Sequence, residues 1–300
     1  MMRTRKGEAP FAAYLHLTQV HGRHTRPAEV MRREAAAIPP ALAAEWRALA
    51  PAGACADPSS DRCAAFLNYA ASVRDVRAQL AAMLAELERA KLLENTVVVL
   101  FSDHGEAFSE HAASPLTASD PRATKGNGMG HGHALFEELL DIPLYVWNTR
   151  APGAVVDVPA STVDIVPMSL ELLGIESDET FVGRPLSQLR EGASERALFA
   201  SSIAYGADQT AVRIGRWKRI AAACPPARMT FDLRRDPLEA YPLIATDLAT
   251  RLDAELAKFE QERVRPGKPG TVTPEERERL RAIGYLTGGQ TSPVPAPCTD

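Results

Sequence analysis

Three hundred residues, 45% hydrophobic and 24% charged, are enough to bury a substantial core and too apolar for a chain disordered along most of its length. The formal net charge of −4 leaves no basic footprint and excludes nucleic acid as an expected partner. No apolar run approaches the ~20 residues of a membrane span; the longest, Val97 to Phe101, is strand-sized. Met1 to Pro10 is charged, with no apolar segment behind it to act as a signal peptide, so the sequence as written reads as soluble, with its compartment unassigned. The four cysteines, Cys55, Cys63, Cys224 and Cys298, set no framework. Cys55 and Cys63 bracket a polar loop and could close a small disulfide, although free thiols are the expectation in a cytosolic setting.

In chain order, Phe11 to Leu17 reads as a short buried strand running into His21-Gly22-Arg23-His24. Residues 26–63, rich in Ala and Pro, read as an irregular, partly helical insertion. Val73, Val76, Leu80, Met83, Leu84 and Leu87 recur at three- and four-residue steps and predict a strong helix. After a turn at 92–95, Thr96 to Phe101 is a β-branched run expected to form a strand buried on both faces. Helix, short turn and buried strand make half of a βαβ unit, which predicts α/β architecture with a mostly parallel sheet. A long Ser-, Ala-, Gly- and Pro-rich loop spans Ser109 to Gly130. Then come a helical turn at 135–140, a strand at 142–147, and a helix at 163–173 with Pro167 in its first turn and Gly174 beyond its end. Residues 217–223 and 229–233 predict a hairpin, followed by helical stretches at 245–262 and 274–283 and a loose tail at 290–300.

The most specific segment is Ser102-Asp103-His104-Gly105-Glu106, directly after the predicted strand. In open α/β sheets ligands bind beyond the carboxyl ends of strands, where this places Asp103 and His104. An Asp oxygen with a His nitrogen suits Zn or Mn, and the carboxylate alone would also suit Ca or Mg. The alternative is a strand-end turn in which Asp103 caps a following helix and His104 is solvated. Gly105 is expected to turn the backbone so that both side chains face one point. The second segment, Gly130-His131-Gly132-His133, continues into Leu135-Phe136-Glu137-Glu138 and ends at Asp141-Ile142-Pro143-Leu144. Its glycines keep His131 open to a ligand, while His133 reads as solvated.

SDHGE after an apolar strand, then HG with LFEELLDIPL, then the VDIVPMSLELLGI helix, resembles the second half of the catalytic domain of sulfatases, within the alkaline-phosphatase-like superfamily. Trp217-Lys218 leading to FDLRRDPLE (231–239), the closing ERLRAIGYL, and the upstream YLHLTQVHGRHTRP extend the likeness over most of residues 10 to 286 in the family's order. The resemblance implies a mostly parallel, doubly wound sheet, here incomplete at its N-terminus. Residues 1–190 would be the C-terminal portion of the catalytic domain, 191–289 a smaller α+β subdomain, and 290–300 a tail. It also implies a divalent metal (Ca, Mg, Mn or Zn) held by Asp103 and His104, with His131 and His21 on the substrate's anion or a second ion. The substrate would be a sulfate or phosphate ester, and a missing N-terminal half or another chain would be required.

The sequence departs from the family pattern at the Pro-Tyr pair, replaced by Arg23 and His24, and at Arg77, where an acidic residue is usual. The family's early aspartates and its nucleophile are not found before SDHGE. Cys224-Pro225-Pro226-Ala227-Arg228 matches the bare C-x-P-x-R pattern of a formylglycine precursor, but it comes after SDHGE and sits in a hairpin turn, so it reads as a decoy. Such a chain is expected to be inactive alone. The alternatives are a phosphoethanolamine- or phosphoglycerol-type transferase of the same superfamily, and a catalytically dead relic acting as a binding module.

Overall fold

The computed structural model describes residues 11–23, 26–51, 53–117, 129–147, 153–190, 196–201, 203, 208–223, 226–244, 246–262, 273–276 and 278. They fall into two compact units, one drawn from Met1–Val98 and Trp147–Pro152, the other from Val99–Val146 and Gly153–Asp300.

The first unit is helical: α1 (Gln19–Arg23), α2 (Ala28–Ala36), α3 (Pro40–Ala48) and α4 (Asp61–Arg89). Proline just before α2 and at the first position of α3 supplies a preset helical entry without losing a needed donor. α4 starts twelve residues before the period that predicts it. Ser60 Oγ accepts the Cys63 amide at 3.2 Å, and Asp61 adds a carboxylate to the first turn. Its opening stretch, Cys63 to Asn68, is buried on every face, so no amphipathic period shows there. Asn68 meets that burial by donating Nδ2 to the carbonyls of Met31 and Ala64. Cys55 and Cys63 are joined by a disulfide beside a small core of Ala43, Leu67 and Trp46. Residues 11–17 are not a strand: Phe11, Tyr14 and Leu15 are exposed. A segment needs a neighbouring strand to become sheet, and no strand among the described residues pairs with this one.

The second unit begins within β1 (Val98–Phe101), which pairs with β4 (Leu144–Trp147). β1 is half-buried along its length rather than buried on both faces. β2 (Ala107–Phe108) and β3 (Met129–Gly130) pair antiparallel, Ala107 opposite Gly130. α5 (Glu137–Leu140) is one turn, α6 (Ile165–Leu173) ends at Gly174 as its spacing predicts, and α7 covers Leu186–Arg190. Asp164, wholly buried ahead of α6, accepts from the amides of Ser161 and Arg184 and from both terminal nitrogens of Arg196.

The predicted hairpin is part of a four-stranded antiparallel sheet: β5 (Ala197–Ser201), β6 (Gln209–Ile214), β7 (Trp217–Ala222) and β8 (Ala227–Asp232). Side chains alternate across it. On one face Ala211, Ile220 and Phe231 join Phe136, Leu139 and Leu116. On the other, Val212 and Ile214 pack on Leu252 and Leu256 of α8 (Thr246–Glu262). Arg219 pins α8 there through a two-pronged bond to Asp253, at 2.6 and 2.7 Å. Among the described residues no helix is long and apolar enough to cross a membrane.

Candidate metal centre

β1 delivers Ser102 to Glu106 at its carboxyl end, and the β2–β3 pair closes the distance to the second motif. With Ala107 opposite Gly130, Glu106 and His131 become neighbours across two strand ends. His131 Nδ1 lies 3.0 Å from Glu106 Oε2. A carboxylate only accepts, so the ring donates from Nδ1 and its lone pair sits on Nε2 when neutral. The His104 ring lies against that of His131, centroids 3.8 Å apart. His104 donates from Nδ1 to the Gly105 carbonyl at 2.7 Å, which again assigns the lone pair to Nε2. The ligand atoms of His104, Glu106 and His131 all lie within 4.8 Å of one another.

Two nitrogens and a carboxylate oxygen, partly withdrawn from solvent, form a donor set suited to Zn or Mn. A carboxylate holding the proton-bearing nitrogen of a histidine is also how ligand rings are commonly oriented. The residues present therefore fit a divalent cation.

Asp103, expected beside His104, has its carboxylate 3.7 Å from His104 Nε2, but 53% of its side chain is exposed and it is not among the three converging donors. It accepts the His104 amide at 3.1 Å rather than capping a helix. His21 lies exposed on α1, in the first unit. Cys224 lies outside the described residues. His133, expected to be solvated, is buried, because the chain turns inward after Gly132 and Gln209 reaches its carbonyl.

Gly105 has a different reason from the expected one. A Cβ there would lie 2.0 Å from the Glu138 carbonyl oxygen, so the residue is small to let α5 approach. Its amide donates to the Leu139 carbonyl at 2.9 Å. The positive φ values belong to Gly130 and Gly132, at +103° and +77°, which bend the chain on both sides of His131.

Sequence reasoning leaves Glu106, His111 and Glu239 without roles. Glu106 sits inside the SDHGE motif, and its position two residues after His104 is the available signal. His111 stacks on Phe136 with ring centroids 3.7 Å apart, bonds Glu138 at 2.8 Å through Nδ1, and donates from Nε2 to the Glu239 carbonyl at 3.2 Å. Burial opposes charge on this ring, but Glu138 outweighs it and raises the pKa. Glu239 is buried beside Lys218, and burial pushes its carboxyl up to about 7 against the pull of the lysine.

The family model that matches is described as Sulfatase and covers residues 2–175, more than half of the chain. Choline-sulfatase of Rhizobium meliloti (strain 1021) is 27% identical over 57% of this chain and 31% of its own length. Arylsulfatase K of Xenopus laevis is 28% identical over 56% of this chain and 33% of its own length. The chain thus spans about a third of the length of these curated relatives. Among solved structures, one in complex with its substrate D-glucosamine-2-N,6-O-disulfate superposes with a TM-score of 0.52 at 19% identity, over 86% of this chain and 48% of the other. A sulfatase from Bacteroides thetaiotaomicron gives 0.50 at 19% identity, over 87% and 53%. The fold is the α/β, alkaline-phosphatase-like fold of these structures. With its two histidine motifs inside the matched span, the chain belongs to the sulfatase family.

Proposed function

We propose that this chain supplies metal and anion ligands to a metal-dependent hydrolase of sulfate esters, phosphate esters being the chemically related alternative. The observation that carries this is that ligand atoms of His104, Glu106 and His131 lie within 4.8 Å of one another beyond β1. His104 would be a donor to the cation in this reading, with Asp103 beside it as a further oxygen ligand. Glu106 either joins them or holds His131 through its ring proton. His131 faces the ester's anionic oxygens or a second ion. A divalent cation bound here would neutralise charge on the transferring group and lower the pKa of an attacking nucleophile.

Residues 1–190 act as the C-terminal portion of the catalytic domain in this reading, and 191–289 as its small subdomain. The residues assigned here include no nucleophile, and a covalent route needs one beside the metal. The chain by itself is therefore expected to bind the cation weakly and to leave aryl sulfates and aryl phosphates intact. Two curated relatives are named choline-sulfatase and arylsulfatase K, which favours the sulfate ester.

Titration of the purified chain with Mn²⁺ and Zn²⁺, beside His104→Ala, Glu106→Gln and His131→Ala, tests the centre. Weaker binding in all three variants supports it; equal binding in wild type and all three removes it.

A further inference from the structure

Lys218 of β7 is 1% exposed, yet carries a charge. Its Nζ lies 2.8 Å from Glu137 and 2.9 Å from Glu239. The second oxygen of Glu137 takes Arg213 at 3.0 Å, and the second oxygen of Glu239 accepts the Glu137 amide at 2.5 Å. Burying such a network is expensive, and well-packed apolar residues would often serve stability as well. Its location suggests what the charges do.

Everything in the network converges on α5, a single turn of four residues. A helix this short does not hold its own shape, and no side chain of its own segment caps it. Glu239, a hundred residues on, supplies the missing acceptor at its first amide. From α5 two contacts lead directly to Gly105 in the SDHGE segment and to His111 beyond it. The Leu139 carbonyl takes the Gly105 amide, between His104 and Glu106, and Glu138 takes the His111 ring. His111 returns to the Glu239 carbonyl, closing the circuit.

We infer that Lys218, with Glu137 and Glu239, is a positioning site: the antiparallel sheet sets the seat of α5, and α5, through Leu139 and Gly105, sets where His104 and Glu106 stand relative to His131. The consequence for metal binding rests on the proposed metal centre; the consequence for Gly105 does not. Apolar contacts between Phe136, Leu139, Ile220 and Phe231 already join α5 to the sheet. A purely structural role for the charges would therefore show as a general loss of stability.

The test uses the full chain with Lys218→Met, Lys218→Met/Glu239→Gln, and Arg219→Met as the control. Arg219 is the next residue on β7 and pairs with Asp253 on the opposite face, away from α5. Amide hydrogen exchange is read at Gly105 and, as an internal standard, at Val212 in β6. Lys218→Met is expected to speed exchange at Gly105 by about tenfold relative to Val212 and to weaken Mn²⁺ binding by a similar factor, within the range of mutational coupling between sites. Adding Glu239→Gln replaces the orphaned carboxyl with a neutral amide that keeps an acceptor for the Glu137 amide, and should restore much of both. Arg219→Met should leave exchange at Gly105 unchanged, whatever it does at Val212, its cross-strand partner in β6. Parallel change at Gly105 and Val212 in Lys218→Met, or no change at Gly105, overturns the inference. Should Lys218→Met fail to fold, Glu239→Gln alone is read by the same ratio with the same criterion. A wild-type chain that binds no Mn²⁺ would sink the metal reading, leaving the exchange ratio to decide the positioning role.

Discussion

The amide of Gly105 donates to the carbonyl of Leu139 at 2.9 Å, and the approach is so close that a Cβ on Gly105 would stand 2.0 Å from the oxygen of Glu138. The neighbour is backbone, not a flexible side chain, so it cannot swing aside. Gly105→Ala is expected to lower stability by about 1–3 kcal/mol, the usual range for overpacking. It should also weaken Mn²⁺ binding, because His104 and Glu106 flank the displaced residue. Urea denaturation and metal titration of the same preparation check both effects. A variant as stable as wild type would mean that α5 does not sit where this contact puts it.

Glu239 gives the second unit a slope in its pH dependence. Its folded pKa, about 7, lies above the ordinary 4.5 of a free carboxyl. A group that holds its proton more tightly when folded contributes stability that is present below about 4.5 and lost as pH rises through about 7. The groups around it are Lys218, Glu137, Arg213 and His111. His111, also raised, adds a fall of the same sign above its ordinary 6.5. Wild type should therefore lose thermal stability relative to Glu239→Gln between about pH 4.5 and 7, as melting curves across that range would show. Parallel profiles would contradict the assignment.

Asp164 shows the opposite sign. Burial disfavours its charge, but Arg196 and the amides of Arg184 and Ser161 more than compensate and hold its pKa below the usual 3.8. Its contribution is present above about 3.8 and lost as pH falls through the lowered value. Asp164→Ala leaves the guanidinium of Arg196, whose side chain is 10% exposed, without its partner. A loss of about 3–5 kcal/mol is expected, as for other broken buried pairs. Chemical denaturation at neutral pH measures it, and a change under about 1 kcal/mol, the typical worth of a surface pair, would contradict this reading.

The Cys55–Cys63 bridge closes a short loop, eight residues apart in sequence, at the start of α4. Chain entropy for a loop of that size gives about 2–3 kcal/mol. Cys55→Ala/Cys63→Ala should lower the stability of the first unit by about that amount, seen as faster exchange across 61–68. Unchanged exchange there would show that the helix cap at Ser60 suffices without the bridge.

What is legible in the sequence is whatever is written locally. The helix of α4, the carboxyl-end position of SDHGE, Pro167 and Gly174 around α6, and the 217–233 hairpin each come from spacing within one segment. Long-range pairing is not legible. Glu106 meets His131 because two dipeptide strands pair, and a two-residue strand has no period to read. His111 and Glu239 meet across 128 residues. Gly105 signals a special backbone position, but whether for a turn or for close approach depends on α5, which no nearby residue announces. β5 and β6 escape a sequence reading because Ala197 to Ser201 and Gln209 to Ile214 mix small, polar and charged residues on a sheet covered on both sides. Phe11 to Leu17 fails in the other direction, since its composition suits a strand but nothing described pairs with it.

Lys218 and Arg219 are adjacent, and each is a cation committed to a different side of the same sheet, Lys218 to Glu137 and Glu239, Arg219 to Asp253 and Thr230. Were β7 to slip by one residue during folding, every side chain would change sides. Lysine would meet Asp253 without the two-pronged geometry, and the larger guanidinium would enter the space between Glu137 and Glu239. Ile220 and Ala221 would exchange cores in the same step. A sheet mispaired in this way would thus lose two ion networks and two apolar faces together, which disfavours that register. The two adjacent cations therefore favour one alignment of β7 over the alignment shifted by a single residue.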